Sequence, residues 1–290
     1  FPDNAYGFDS GGDPAAIPQL TYEQFKAFHE RYYHPSNAFF YFYGDDPEEE
    51  RLRVVNETLR PFGPAKVDAG VTLQPGFAQP VRIERGYDAD GDGTNGQRGM
   101  IQMQWLLPEA VDEELMMGLS LLSHALVGTQ ASPLRKRLID SGLGEALTGS
   151  GLSASLRQMT FGVGLKGIDP AKVGEVEALI LATLEELGHK GIEPAMVEAS
   201  YNTLEFRLRE NNTGSYPRGL GLMMSAVHGW LYMNDPIEPL GFETTLAAVR
   251  RRLNENPDYL AGMIRTHLVE NPHRAVVLLH PEPGLNQRRE

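Results

Sequence analysis

Hydrophobic and polar positions near the start of the chain follow helical spacing and then give way to a continuous aromatic run. Thr21, with Gln24 three residues on, matches a capping box at the start of a helix. The positions i, i+3, i+4 and i+7 of one aromatic face are taken by Phe25, Phe28, His29 and Tyr32. Pro35 ends the predicted helix, because the residue before a proline is disfavoured in the α region. The aromatic run at 38–43 then predicts a strand that is buried on both faces.

The same spacing rules predict further elements along the chain. Helices are predicted at 47–62, 108–127, 133–141, 169–187, 193–210, 215–232, 244–253 and 258–269. Strands are predicted at 81–84, 100–107, 143–151, 155–167 and 274–280. The short connection between strands 143–151 and 155–167 favours an antiparallel pair. This order predicts an α+β fold in which helices cover one face of a mainly antiparallel sheet.

Composition excludes several classes of function. The 290 residues include no cysteine, so a disulfide framework, a thiolate metal site and a cysteine nucleophile are all excluded. The formal net charge of −13 argues against nucleic acid as a partner and suits basic peptides. No apolar run approaches the roughly 18 residues that a membrane span needs. We therefore expect neither nucleic acid nor a membrane as a partner.

Proline and glycine mark a predicted domain boundary. The stretch 63–80 is rich in proline, glycine and alanine and has no strong period, which predicts a linker. It separates 1–62 from a larger part at 81–283, and the polar end at 284–290 resembles the opening of a further helix. Because the chain opens on Phe1 without a signal or transit peptide, we expect it to be a piece of a longer protein.

Two segments carry a resemblance to a known family. LTYEQFKAFHERYYHPSNAFFYFYGD resembles a segment near the end of the first domain in the pitrilysin/insulinase superfamily of zinc metallopeptidases. FPDNAYGFDSGGDP, at the start of the chain, narrows the resemblance to the presequence-protease subfamily, the organellar oligopeptidases. The resemblance implies that 1–62 is the end of the catalytic domain and that 81–283 is a second, structurally similar but non-catalytic domain. It also implies that 284–290 begins the helical connector to the other half of the enzyme.

The zinc motif of this superfamily, H-x-x-E-H on a helix, does not occur in the chain. The nearest string runs from His29 to His34, with the two histidines five residues apart and Pro35 directly after them. That spacing does not present two imidazoles on one helix face. We interpret His29 as a packing residue and His34 as a helix C-terminal residue favoured by the helix dipole. The resemblance implies that all zinc ligands and the catalytic glutamate lie outside this chain, so no catalytic or metal-binding residue is predicted in it.

Three other stretches resemble binding motifs. The segment from Asp88 to Gly93 matches the first half of a calcium loop, but the twelfth position is Gly99 rather than glutamate. We interpret it as an acidic surface loop and keep weak binding of divalent ions as the alternative. The glycine-rich segments at 142–144 and 149–151 lack a phosphate-loop pattern and predict turns or strand edges. The strand 159–165 is either a core strand or a wall that contacts a bound peptide.

The resemblance implies a zinc metallopeptidase of the mitochondrial matrix or chloroplast stroma that degrades unstructured peptides such as cleaved targeting presequences. This chain is then expected to form part of the wall of the peptide chamber, to bind no zinc and to cleave nothing alone. Its expected partners are basic targeting peptides and the remaining parts of the enzyme. The alternative is a catalytically inactive homologue that acts as a peptide-binding or scaffold subunit, and a calcium-binding adaptor is a third hypothesis.

Overall fold

The computed structural model describes residues 1–89 and 98–289. The chain divides into two compact units, each with its own internal contacts. The first contains residues 1–74 and 213–227, and the second contains residues 75–212 and 228–290. The predicted linker at 63–80 includes the point where the first unit gives way to the second, but the assignment of complete domains stays a prediction.

The first unit contains two helices that match the sequence prediction. Helix α1 spans Tyr22–Tyr32, and α2 spans Glu48–Leu59. The predicted capping box is confirmed: the Gln24 backbone N–H donates to the Thr21 hydroxyl at 3.2 Å, and the Thr21 N–H donates to the Gln24 side chain at 2.9 Å. Three glutamates occupy the first turn of α2, where the positive end of the helix dipole stabilises their negative charges.

The predicted strand at 38–43 is wrong for this chain. These residues have no strand assignment, and most of their side chains are exposed. Phe39 is 42% exposed and Tyr43 is 58% exposed. An extended segment becomes a buried strand only when neighbours accept and donate its backbone hydrogen bonds, and no described residue pairs with it as a strand. The aromatic face of α1 is also open, with Phe25 at 64% and Phe28 at 58% exposure.

The second unit is built on a five-stranded sheet. Its strands are β1 at Val81–Tyr87, β2 at Gly99–Glu109, β3 at Ala146–Ser153, β4 at Gln158–Ile168 and β5 at Arg274–Pro281. Their order across the sheet is β1-β5-β2-β4-β3. The β1–β5 pair is parallel, whereas β5–β2, β2–β4 and β4–β3 are antiparallel. The prediction of a mainly antiparallel sheet, including the hairpin of its last two strands, is confirmed.

The remaining helices lie close to their predicted positions. They are α3 at Glu113–Val127, α4 at Pro133–Asp140, α5 at Val173–Lys190, α6 at Pro194–Glu210, α7 at Arg218–Trp230, α8 at Phe242–Glu255, α9 at Tyr259–Ile264 and α10 at Leu285–Arg289. A π-helical turn at Arg265–Val269 continues α9. No described helix combines the length and apolarity of a membrane span.

The helix predicted at 108–127 begins later than expected. Pro108 and Glu109 still belong to β2, and α3 starts only at Glu113. The Asp112 carboxylate accepts the Leu115 N–H at 2.9 Å and so caps the helix. Proline in a first turn and proline at the end of a strand give the same sequence signal, which explains the early prediction.

The core lies between one face of the sheet and the helices. Strand β2 alternates strictly, so Ile101, Met103 and Trp105 are fully buried on one side. Apolar side chains of α3 and α5 form part of the opposing layer: Leu119, Leu122, Leu126, Val176, Ile180 and Leu184. The predicted α+β fold, with helices on one face of the sheet, is confirmed.

Candidate functional site

The two histidines nearest to a zinc motif have structural contacts instead. The His29 ring stacks on Tyr33, with 4.7 Å between ring centroids and 12° between the planes. His34 lies beyond the end of α1, and its Nδ1 accepts the Ser36 N–H at 3.1 Å, so it caps the following turn. The interpretation of His34 as a partner of the helix dipole is therefore wrong, because α1 ends two residues earlier. Among residues 1–89 and 98–289, no three histidine, aspartate or glutamate side chains are placed to hold a metal ion.

The acidic loop from Asp88 onward is only partly described. Asp90 and Asp92, on which the calcium hypothesis depends, lie outside the described residues. The carboxylate of Asp88 accepts the backbone N–H of Asn286 at 2.6 Å, close to the start of α10. Asp88 therefore helps to fix the beginning of this helix.

The glycine-rich segments form turns and a strand irregularity, as predicted. Gly142 has a φ of 65° in the turn after α4. Gly149 and Gly151 have φ values of 76° and 80°, at the point where the register between β3 and β4 shifts. A side chain is strained in this left-handed region, so glycine allows the bulge.

The two faces of β4 have opposite environments. Met159, Phe161, Val163 and Leu165 are buried in the core, which excludes them as a peptide-contacting wall. The residues between them in β4, Gly162 among them, lie on the opposite face of the sheet. On that face the Gln102 amide of the neighbouring strand β2 donates to the Gln104 side-chain oxygen at 2.7 Å. A Cβ at Gly162 would overlap that oxygen and lie 2.9 Å from the Gln102 amide nitrogen. Two glutamines thus lie over glycines on the helix-free face.

The two outer strands of the sheet differ in charge. Strand β1 carries Arg82, Glu84 and Arg85, and Arg82 forms ion pairs with Glu84 and Glu177, each at 3.0 Å. Strand β3, with the sequence ALTGSGLS, carries no charged side chain. Charged residues on an edge strand oppose the addition of another strand. Of the two outer strands in the described sheet, only β3 lacks the charged side chains that oppose strand addition.

A cavity of about 680 Å³ lies beside the start of β3. Strand residues Ala146 and Leu147 line one side, and α4 contributes Arg135 and Ile139. Helical spacing predicts that Ile139 faces inward together with Leu134 and Leu138, but its side chain is 41% exposed. The cavity therefore combines the apolar side chain of Ile139 with charged side chains of α4, next to an uncharged strand.

A second large cavity lies wholly within the first unit. Its volume is about 910 Å³, and aromatic side chains from α1 and from the segments around α2 line it. Phe28 and Tyr32 pack with their ring centroids 4.7 Å apart, and the rings of His34 and Phe62 meet edge-on at 5.7 Å. Phe28 and Tyr32 belong to the aromatic helix face that the sequence predicted.

A sequence profile of the peptidase M16 inactive domain matches residues 19–204 of the chain. This chain belongs to that family. The resemblance to the pitrilysin/insulinase metallopeptidases, inferred above from two segments, is thereby confirmed. The match includes β1 to β4 and thus the uncharged edge strand.

Curated relatives align along nearly the whole chain. Presequence protease 1, chloroplastic/mitochondrial, of Arabidopsis thaliana is 46% identical over 97% of this chain. Protein HypA of Clostridium perfringens is 34% identical over 100% of it, and the mitochondrial presequence protease of Mus musculus is 33% identical over 97%. The chain spans only 27%, 30% and 27% of the lengths of these three proteins, respectively.

Solved structures show the same fold. A protease from Helicobacter pylori matches with a TM-score of 0.71 at 16% identity, covering 93% of this chain and 61% of that one. A peptidase M16 inactive domain from Pseudomonas fluorescens matches with a TM-score of 0.68 at 16% identity, covering 96% and 62%. At this identity the comparison concerns the fold alone, and it agrees with the α+β architecture described above.

The sequence predicted the strand at 143–151, but it did not predict that this strand is an edge of the sheet or that a cavity lies beside it. A signal was present, because ALTGSGLS is uncharged and lies next to the charged helix sequence PLRKRLID. Of the two interpretations of the strand 159–165, the core strand is confirmed, because its apolar side chains are buried.

Proposed function

We propose that this chain is a non-catalytic part of a zinc metallopeptidase that degrades unstructured peptides, such as cleaved targeting presequences. The observation that carries the proposal is the 46% identity to presequence protease 1 along 97% of the chain. The description of the matched family as an inactive domain supports a non-catalytic role. In this proposal residues 1–62 end the catalytic domain, 63–80 form a linker, 81–283 form the second domain and 284–290 begin a connector.

Zinc belongs to the longer protein in this proposal. The described residues do not fit a zinc ion, because no three potential ligands among them are placed together and a protein zinc site needs three or four. This chain would therefore contribute peptide binding. The names of the plant and vertebrate relatives support a mitochondrial or chloroplast location for the enzyme.

The open aromatic cavity of the first unit supports the assignment of that unit to an incomplete domain. Phe25 and Phe28 expose most of their surface, and Tyr33 is 71% exposed. Contiguous exposed apolar surface of this kind marks an interaction site. We propose that the segment preceding this chain in the longer protein covers these rings and completes the predicted strand at 38–43.

Complementation is the test of this function. The purified chain is expected to leave a fluorogenic, unstructured, basic peptide uncleaved, both with added zinc and with a chelator. Co-expression with the preceding segment is expected to give cleavage that the chelator abolishes and to reduce binding of a hydrophobic dye by the first unit. Zinc-dependent cleavage by the chain alone would overturn the non-catalytic role. Unchanged dye binding in an active complex would overturn the proposed cover.

The uncharged edge strand gives the chain its own binding role. We propose that an unstructured peptide pairs with β3 and places an apolar side chain in the cavity beside Ile139. Main-chain hydrogen bonds would supply affinity without demanding a particular sequence, as degradation of varied peptides requires. The net charge of −13 would steer basic peptides toward the chain.

Filling the cavity is expected to weaken peptide binding. Ala131 is an exposed residue of the cavity wall, so Ala131→Trp adds bulk there without entering the core. We expect a loss of affinity of about tenfold, equivalent to roughly 1.4 kcal/mol, in fluorescence anisotropy with a labelled basic peptide. The matched control is Ala171→Trp, at an exposed residue that does not line the cavity, and it should leave binding unchanged.

The peptide itself provides a second control. A peptide N-methylated at alternate residues lacks half of its backbone donors and should lose binding if a strand is added to β3. Equal affinity of the methylated and unmethylated peptides would contradict pairing at the edge, whatever the effect of Ala131→Trp.

The alternative function is a peptide-binding or scaffold subunit whose longer protein is itself inactive. The inactive-domain description of the matched family favours this alternative. An H-x-x-E-H motif in the preceding part of the longer protein would exclude it, whereas a degraded motif combined with retained peptide binding would support it.

A further inference from the structure

A small cavity in the second unit has a composition unlike that of the cavity beside α4. It lies among α3, β3 and α6 and has a volume of about 250 Å³. Its polar lining consists of Ser120, Ser123, His124, Ser150 and Arg207. No aspartate or glutamate lines it, whereas Asp140 and Glu145 both line the cavity beside α4. In a chain of net charge −13, a cavity without carboxylates is a distinctive feature.

Arg207 brings a positive charge to this cavity. Its guanidinium has no ion pair within the described part of the chain. Neighbouring arginines are neutralised: Arg209 pairs with Glu205 at 2.7 Å, and Arg250 pairs with Glu198 at 2.5 Å. An unpaired guanidinium offers a planar set of donors that matches the oxygens of a carboxylate or phosphate.

His124 contributes an unused polar atom. Its Nδ1 is buried and has no hydrogen-bond partner among the described residues. Burial, and then the nearby charge of Arg207, lowers the pKa of His124, so the ring is neutral near pH 7. A neutral imidazole carries its single N–H on either Nδ1 or Nε2. In the tautomer with the proton on Nδ1, this atom would donate a hydrogen bond to a bound acceptor. A buried polar atom without a partner is costly, so an acceptor bound at this atom would stabilise the cavity.

The serine hydroxyls complete the set of donors. The Ser123 hydroxyl accepts the Leu152 N–H at 2.9 Å, which leaves its own proton available. Ser120 lies between the buried residues Leu119 and Leu121 of α3, and Ser150 lies between two glycines at the bulge of β3. The cavity therefore combines one cation with several neutral donors.

We propose that this cavity binds a small oxyanion, with Arg207 as the charged anchor and His124 and the serines as neutral donors. Charge-assisted hydrogen bonds to an oxyanion are stronger than neutral ones, and Arg207 can make two in parallel. The volume is slightly below the usual range for small-molecule pockets, about 300–1,000 Å³, so the ligand is small. Inorganic phosphate and the terminal carboxylate of a peptide both have the required oxygens.

Titration of the full 290-residue chain tests the proposal. The probes are inorganic phosphate, acetyl-trialanine with a free carboxylate, and the same tripeptide as its amide, all at constant ionic strength. We expect saturable binding of at least one oxyanion, with movement of the His124 ring signals in nuclear magnetic resonance spectra. Arg207→Gln should weaken this binding by about tenfold or more.

The matched control is Arg251→Gln, which removes the same charge from an exposed arginine of α8 that does not line the cavity. This variant should bind as the unaltered chain does. Binding of phosphate alone would identify a free anion as the ligand, and binding of the acid but not the amide would identify a peptide terminus. No saturable binding of either oxyanion, or equal weakening by both arginine variants, would overturn the proposal.

Discussion

Replacing Trp105 by alanine is expected to lower the free energy of unfolding by about 3–5 kcal/mol. Trp105 lies in the middle of β2 and is fully buried. Its ring meets Phe161 at 6.0 Å between centroids, and its indole N–H donates to the Leu268 carbonyl at 2.8 Å. The substitution removes the largest fully buried side chain and leaves that carbonyl without its donor, and both losses act in the same direction.

The expected loss can be measured by urea denaturation of the whole chain, followed by circular dichroism. Phe206→Ala is the control, because Phe206 is an aromatic residue of the same unit that is 64% exposed, and it should change stability by no more than about 0.5 kcal/mol. The loss of stability in Trp105→Phe should lie between those of Trp105→Ala and Phe206→Ala, since phenylalanine keeps much of the packing but loses the hydrogen bond. A loss below about 1 kcal/mol for Trp105→Ala would contradict the central place given to β2.

The sequence predicted those parts of the fold that local rules decide. The capping box at Thr21 depends on two residues three positions apart, and its two hydrogen bonds form as the pattern requires. The alternation of β2 depends only on which side chains are apolar, and Ile101, Met103 and Trp105 are all buried. The hairpin of β3 and β4 depends on a short connection. Each of these features is determined within a few residues of sequence.

The failures concern features that distant residues decide. The aromatic run at 38–43 has the composition of a buried strand, but composition does not supply the neighbouring strands that would pair with it. Ile139 has the spacing of an inward residue, but the side of α4 on which it lies borders a cavity rather than a helix. Burial is a property of the whole assembly, so a local pattern states a preference for burial without ensuring it.

The candidate sites were beyond local reasoning for the same reason. That β3 is an outer strand follows from the sheet order, in which β4 lies between β3 and β2 and β2 pairs on its other side with the distant β5. Ser123 and Arg207 line one cavity although α3 and α6 are separated by two strands and two further helices. The sequence shows which residues have the required chemistry, and the topology decides which of them meet.

The two faces of the sheet suggest how stability and binding are separated in the second unit. The helix-covered face holds the apolar side chains, and the other face holds glutamines over glycines. A core on one face stabilises the sheet, and the proposed pairing of a peptide with β3 would take place outside that core. This arrangement requires β2, β4 and β3 to lie close together. They can do so because the central residues of β4 on that face are glycines, which have no side chain.

Replacing Gly164 by alanine is accordingly expected to destabilise the second unit by about 3 kcal/mol or more. A Cβ at this position would overlap the carbonyl oxygen of Ile101, and it would lie 2.6 Å from the Thr148 hydroxyl and 2.8 Å from the Gln102 Cα. The backbone of β2 cannot yield without breaking the pairing with β4. The Thr148 hydroxyl donates to that same Ile101 carbonyl at 2.8 Å, so the methyl group would also disturb the link from β3.

Gly174→Ala is the matched control for this prediction, because it makes the same chemical change in α5 at a position with no atom within 4 Å of the added Cβ. Alanine is favoured over glycine in a helix, so this variant should gain up to about 1 kcal/mol. Opposite signs for the two variants in urea denaturation would support the close packing of β2, β4 and β3. Peptide binding should fall in Gly164→Ala and stay unchanged in Gly174→Ala, because only the first substitution displaces the strands that position the open edge. Near-equal stability of the two variants would show that the strands tolerate a side chain at Gly164, and the packing argument would then fail.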